Sequence, residues 1–148
     1  FGLEYVAEDG SRKPPVMIHR AIYGSIERFF AILIEHFAGA FPLWLAPEQV
    51  RVLPITDVQM DAARALHERL RAAAVRSHLD ERNETLNYRV RDGEMQKVPY
   101  LAVVGGREAE AGTVAVRARG AGNKQDVMAQ DAFVALLTDQ IRARAMVP

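Results

Sequence analysis

Arg28 lies among Ile26, Phe29 and Phe30 in the most hydrophobic stretch of the chain, residues 17–39, with Gly24, Ser25 and Glu27 close beside it. A charge buried without a partner is costly. A guanidinium in such surroundings therefore calls for a neighbouring carboxylate or an anionic ligand. The run taken alone favours the plainer account, a core helix whose Glu27 and Arg28 pair or reach solvent. His19 stands in the same stretch between apolar neighbours. The four histidines, His19, His36, His67 and His78, show no paired ligand spacing, so no complete metal site is visible in the chain. Ser25 has no His/Asp arrangement around it that would make it a nucleophile, and helix capping explains it better.

Two other groups could bind a polar ligand. Asp80-Glu81-Arg82-Asn83-Glu84 falls at the carboxyl end of a predicted strand, where small α/β sheets present binding groups. Arg117 and Arg119 share one face of an alternating segment, with Glu108 expected on the hairpin leading into it. Arginine can read guanine bidentately, and a carboxylate can accept from a base edge. On composition alone, a solvated sheet face with ordinary ion pairs is the simpler account. Gly105-Gly106 follows an apolar run, but neither GxGxxG nor GxxxxGK[ST] is present, so a tight turn is expected there.

The elements that must hold these residues are legible from pattern. Residues 3–6 and 16–22 read as strands, broken at Gly24-Ser25, where Ser25 caps a helix expected to end at Gly39. Residues 40–47, with Pro42, Trp44 and Pro47, read as a linker. A strand is expected over 50–55. Thr56 and Gln59 form a capping box for a helix over 57–74, with Ala62, Ala63, Leu66, Leu70 and Ala73 on one face. A strand over 75–79 follows, then a more polar helix over 84–96 with Leu86, Val90 and Met95 inward. Residues 100–104 form a buried strand, 113–119 an alternating one, and 129–144 a helix striped by Phe133, Leu136, Leu137 and Ile141. Residues 120–125 read as a loose polar loop. The order βαβαββα indicates a small α/β domain, a mixed sheet flanked by helices.

Composition limits the partners. The chain has 148 residues with 19 basic and 19 acidic side chains, so any nucleic-acid binding must come from a local patch. It has no cysteine, which excludes disulfides and thiolate metal sites within it. Charges at Glu27, Arg28, Glu35 and His36 break the apolar run, so no membrane span is expected, and the amino end lacks a signal-peptide pattern. With no initiator Met, the chain reads as part of something longer.

Taken together, EYVAEDG, PPVMIHRAIYGSIERFFAILIEHFAGAFPLWLAPEQV, LDERNE and VPYLAVVGGREAEAGTVAVRARG strongly resemble the carboxyl-terminal part of the threonyl-tRNA synthetases. The most specific piece is MIHRAIYGSIERF, which is similar to class II motif 3 in its threonyl form. The second half is similar to the anticodon-binding domain of the threonyl, prolyl, glycyl and histidyl enzymes. The resemblance implies a catalytic-domain remnant over 1–41, a strand leading into a helix, and an anticodon-binding domain over 42–148. It implies that Arg28 binds the ATP γ-phosphate, with magnesium as counter-ion, and that Ser25 lines the amino-acid and adenylate pocket. It makes His19 a zinc ligand whose companions lie outside this chain; that zinc holds threonine as a Lewis acid. It places Asn83, Arg91, Lys97, Glu108 and Arg117 near the anticodon, with Glu108 and Arg117 reading its second and third bases. Ala7, Glu48 and Gly106 depart from the family pattern at none of these positions.

The resemblance therefore implies part of a cytoplasmic, homodimeric ligase that joins threonine to its tRNA with ATP. This chain by itself is expected to be inactive and to hold no stoichiometric zinc. A non-catalytic RNA-binding module or synthetase-like accessory protein is the competing account, against which the intact His19, Ser25 and Arg28 speak. A flavodoxin-like domain unrelated to RNA fits less well, given the missing phosphate motif and the Arg-bearing strand.

Overall fold

The computed structural model describes residues 2–122 and 124–146, and the chain divides into two units, Phe1–Ile32 and Leu33–Pro148. The first unit opens with a hairpin of β1 (Tyr5–Val6) against β2 (Arg12–Lys13), antiparallel with Val6 opposite Arg12. The turn suits its residues. Gly10 adopts φ +76°, and Asp9 accepts from the Ser11 amide at 3.0 Å, the Ser11 hydroxyl at 2.6 Å and Lys13 Nζ at 3.0 Å. Those bonds, the Ser11 hydroxyl foremost, bring the Asp9 carboxyl down to about 2.

The strand expected over 16–22 does not form. Residues 14–21 carry no regular structure, and no strand pairs with them among the described residues. Apolar alternation does not hold a strand without a neighbour to take its backbone hydrogen bonds.

The helix begins where its cap predicts. α1 (Ile26–Phe37) has Ser25 before it, whose Oγ accepts weakly from the Arg28 amide at 3.4 Å and donates to Glu27 at 2.6 Å. At its other end the Gly39 amide donates to the Ile34 carbonyl at 3.0 Å, and the left-handed residue is Ala38 (φ +49°), one position earlier than expected, followed by Gly39 at +76°.

The second unit is built on a five-stranded sheet in the order β4-β3-β5-β6-β7. β3 (Val50–Pro54) lies parallel to both β4 (Ser77–Leu79) and β5 (Tyr100–Val104). β5 runs antiparallel to β6 (Thr113–Ala118), which runs antiparallel to β7 (Asp126–Ala129). Alternation along the strands sends two sets of side chains to opposite faces. Val50, Val52, Tyr100, Ala102, Val104, Val114 and Val116 meet α2 (Met60–Ala72) and α5 (Gln130–Arg142) through Ala63, Leu66, Leu70, Phe133 and Leu137. On the other face, Leu53, Leu101, Val103 and Ala115 meet Val98 and the Leu86 and Val90 side chains of α3 (Leu86–Met95).

Four expectations change. A 3-10 turn, Asp57–Gln59, precedes α2, while Gln59 Oε1 still accepts from the Thr56 amide and hydroxyl at 3.2 and 2.8 Å. The supposed linker is packed: Leu43 is fully buried, with Phe41 and Ala46 nearly so, and buried Gln49 donates to the Leu43 carbonyl at 2.8 Å. Met95 points outward, while Gly93 and Arg89 are the buried positions of α3 beside Leu86 and Val90. Finally, a short helix α4 (Gly106–Ala111) takes the place of the expected hairpin, and strand β7 forms just past the polar loop expected over 120–125, making the order βαβαβαββα. Asn123 of that loop lies outside the described residues. No helix among the described residues is long and apolar enough to cross a membrane.

Candidate nucleic-acid interface

α3 carries Arg91 and ends two residues before Lys97, and a partly buried ionic network fixes it on the sheet. Arg51, 4% exposed on β3, donates to both carboxylate oxygens of Glu48 (2.7 and 2.8 Å), to Asp92 (2.9 Å) and to Gln96 (2.8 Å). Asp92 also accepts from Arg82 at 2.8 Å, and Arg82 grips the fully buried Asp80 with two donors at 2.9 and 2.7 Å. Burial pushes the Asp80 carboxyl up, but the hydrogen bonds from the Arg82 side chain and backbone prevail and hold it below its ordinary value. Arg89, buried on α3, donates to the backbone carbonyls of Asp80 at 3.1 Å and Pro54 at 2.7 Å. These are the ends of β3 and β4, so one guanidinium ties the helix to two strand termini. Sequence reasoning missed Arg51 and Arg89; the readable signal was an arginine inside the apolar Val50–Leu53 run.

Arg117 and Arg119 share a sheet face as the alternation predicts, on the side of Leu101 and α3. Arg117 Nη1 donates to Glu94 at 2.9 Å, its side chain is 17% exposed, and its buried Nε has no hydrogen-bond partner among the described residues. Arg119 Nη1 donates to the Lys97 carbonyl at 2.9 Å. The two arginines, Glu94, Val98, Leu101 and Gly120 help line a cavity of about 370 Å³. Lys97 follows α3 in the left-handed conformation (φ +58°), and its ammonium donates to the Ala38 carbonyl.

The remaining expected residues stand elsewhere. Arg91 is exposed on α3. Asn83 is exposed beside Arg82 and Arg89 in a hollow of about 230 Å³ at the carboxyl end of β3, with Thr56 and Asp57 opposite. Glu108 lies in the first turn of α4, where its Oε2 accepts the Gly105 amide at 3.1 Å. The hairpin that was to set Glu108 beside Arg117 is absent. Arg117 is opposite Leu101 near the start of β5, whereas Glu108 follows the end of that strand. The surface thus has two centres, Arg117 with Arg119 at the cavity and Asn83 at the carboxyl ends of the parallel strands, while Lys97 is turned to Ala38.

In the first unit Ser25, Arg28 and His19 are all exposed, and no residue of α1 is buried. Arg28 is therefore not a charge held in an apolar interior. No group of three or more His, Asp or Glu residues that could hold a metal occurs among the described residues; the companions that the resemblance implies for His19 lie outside this chain. His67, facing the Ser77 hydroxyl at 2.9 Å, is held below its ordinary value by burial and then by Arg71 and His78.

Residues 49–140 match the family model described as an anticodon binding domain. The chain is similar to the threonine–tRNA ligase of Desulforamulus reducens, 52% identical over 99% of this chain and 23% of that protein. It is 54% identical to that of Gloeobacter violaceus over 97% of this chain and 23% of that protein. The crystallised RNA binding domain of threonyl-tRNA synthetase from Cryptosporidium parvum superposes with a TM-score of 0.75 at 30% identity, over 93% of this chain and 34% of that one. The chain spans less than a quarter of the length of the curated relatives named.

Proposed function

Because the chain belongs to the anticodon-binding domain family, we propose that it recognises the anticodon of a threonine tRNA as the carboxyl-terminal part of a threonine–tRNA ligase. The single observation that carries this reading is the family match over 49–140, which spans all five strands of the mixed sheet. High identity to named ligases across nearly the whole chain supports the choice of threonine. Residues 42–148 serve as the recognition domain and 1–41 as the end of a catalytic domain.

In this reading Arg117 donates to a base edge while Arg91 and Lys97 contact phosphate or sugar, so position is set by one group and sequence by the other. Asn83 and Glu108 contact RNA from the second centre. Arg28 binds the γ-phosphate of ATP, accompanied by magnesium, and Ser25 lines the threonine pocket, both in the full-length homodimeric enzyme of the cytoplasm. His19 by itself does not constitute a zinc site, and no step of the proposal depends on it.

The test is binding of this chain to the anticodon stem-loop of a threonine tRNA, against stem-loops changed at each anticodon base. Affinity at least about tenfold higher for the threonine anticodon is expected from base readout. Equal affinity for all of them would exclude sequence recognition by this chain.

A further inference from the structure

We propose that Glu94 is a selectivity residue that keeps phosphate off Arg117 and reserves the adjoining cavity for an unstacked nucleobase. This rests on the tRNA-recognition reading and adds to it a residue outside the expected anticodon set. Three observations meet here. Arg117 is mostly buried and its orientation is fixed at one nitrogen, Nη1, by Glu94 at 2.9 Å. Its Nε is buried without a hydrogen-bond partner among the described residues, so Glu94 is the one side chain seen to hold the guanidinium there. The cavity of about 370 Å³ has an apolar floor of Val98 and Leu101 and a second cation, Arg119. That volume lies within the roughly 300–1,000 Å³ usual for small-ligand pockets.

The chemistry of the pair decides what can enter. A carboxylate only accepts hydrogen bonds, and a phosphodiester has none to donate. A phosphate approaching Arg117 therefore meets a fixed negative charge and gains nothing from it. A base edge offers acceptors for the guanidinium and N–H donors for the carboxylate together, as guanine does with O6 and its ring and amino N–H groups. Glu94 is 48% exposed, so water already competes for it and the pair can open to admit a base. Without Glu94, two arginines beside an open cavity form a general anion site.

The experiment measures binding of this 148-residue chain to the threonine anticodon stem-loop and to a stem-loop of changed anticodon, each across a salt series. Glu94→Gln keeps the shape and removes the charge. It should strengthen the changed stem-loop by about five- to tenfold and the threonine stem-loop less, and steepen the salt slope by about 0.7 to 0.9, the contribution of one added phosphate contact. Glu94→Asp should keep the wild-type slope. In an Arg117→Ala background Glu94→Gln should alter neither slope nor discrimination. Equal strengthening of both RNAs, or an unchanged slope, would overturn the assignment and leave Glu94 as a general repulsive charge. Wild-type protein that binds neither stem-loop would instead overturn the tRNA-recognition reading itself, and this inference with it.

Discussion

Asp80 carries more than its own side chain, because Arg82 reaches both it and Asp92, and Asp92 reaches Arg51. Asp80→Asn leaves a buried amide facing a guanidinium and should cost about 1.5–3 kcal/mol at neutral pH, the range for hydrogen bonds to charged groups. The sign with pH is set by the lowered carboxyl. Its contribution is complete above the unfolded value near 4 and disappears as pH falls through the lower folded value. Urea melts of wild type and variant should therefore draw together as pH falls from about 4 through the lower folded value, and a gap that does not narrow on acidification would contradict this assignment. Arg117→Ala in a full-length enzyme should lower discrimination between threonine and changed-anticodon tRNAs by about one to two orders of magnitude. Charging assays that show the same fractional loss on both tRNAs would remove Arg117 as a base reader.

At the level of elements, α3 is placed by a close approach as well as by ions. A Cβ at Gly93 would come within 2.6 Å of Leu101 Cδ2, so the helix backbone lies almost against β5. Gly93→Ala improves helix propensity yet should destabilise by about 1–3 kcal/mol through overpacking, read as a lowered urea midpoint. The opposite sign is expected at Ala74, which ends α2 in the left-handed region at φ +58° and caps it through the Val75 amide to the Leu70 carbonyl. Ala74→Gly should stabilise by about 0.5–1 kcal/mol, checked by the same midpoint. The apolar faces of α2 and α5 and the buried β5 were readable because burial imposes a periodicity on the chain. α4 and β7 were not, since GREAEA carries no apolar stripe and Asp126–Ala129 alternates too briefly to announce a strand. Both depend on neighbours: Ala109 packs on the core, and β7 pairs with β6. Arg89 was illegible for a related reason, since its value as a partner exists only once the ends of β3 and β4 have converged. Among the site residues, Arg117 and Arg119 were placed on the correct face by period two alone. The separation of Glu108 from Arg117 depended on recognising α4.

Across the whole molecule, the residues that would touch ATP and threonine are isolated. Ser25 and Arg28 stand exposed, and the chain covers less than a quarter of its named curated relatives. Threonine-dependent pyrophosphate exchange by this chain should be undetectable, because adenylate formation needs both substrates held in a near-attack arrangement. Clear turnover would refute that expectation. The sheet order carries a different consequence, for the time course of folding. β3 sits between β4 and β5, and Val50 must find Tyr100, about a third of the chain later, before the parallel ladder can close. β5, β6 and β7 join through short antiparallel links and can assemble first. The buried α5 residues Phe133 and Leu137 arrive last in the chain and cover a core that β3 has helped to form. Loop closure then makes capture of β3 the slow event, so Val116→Ala should retard refolding while Val52→Ala should chiefly hasten unfolding. During synthesis, β3 and β4 must therefore wait for β5, the strand that joins them to the rest of the sheet.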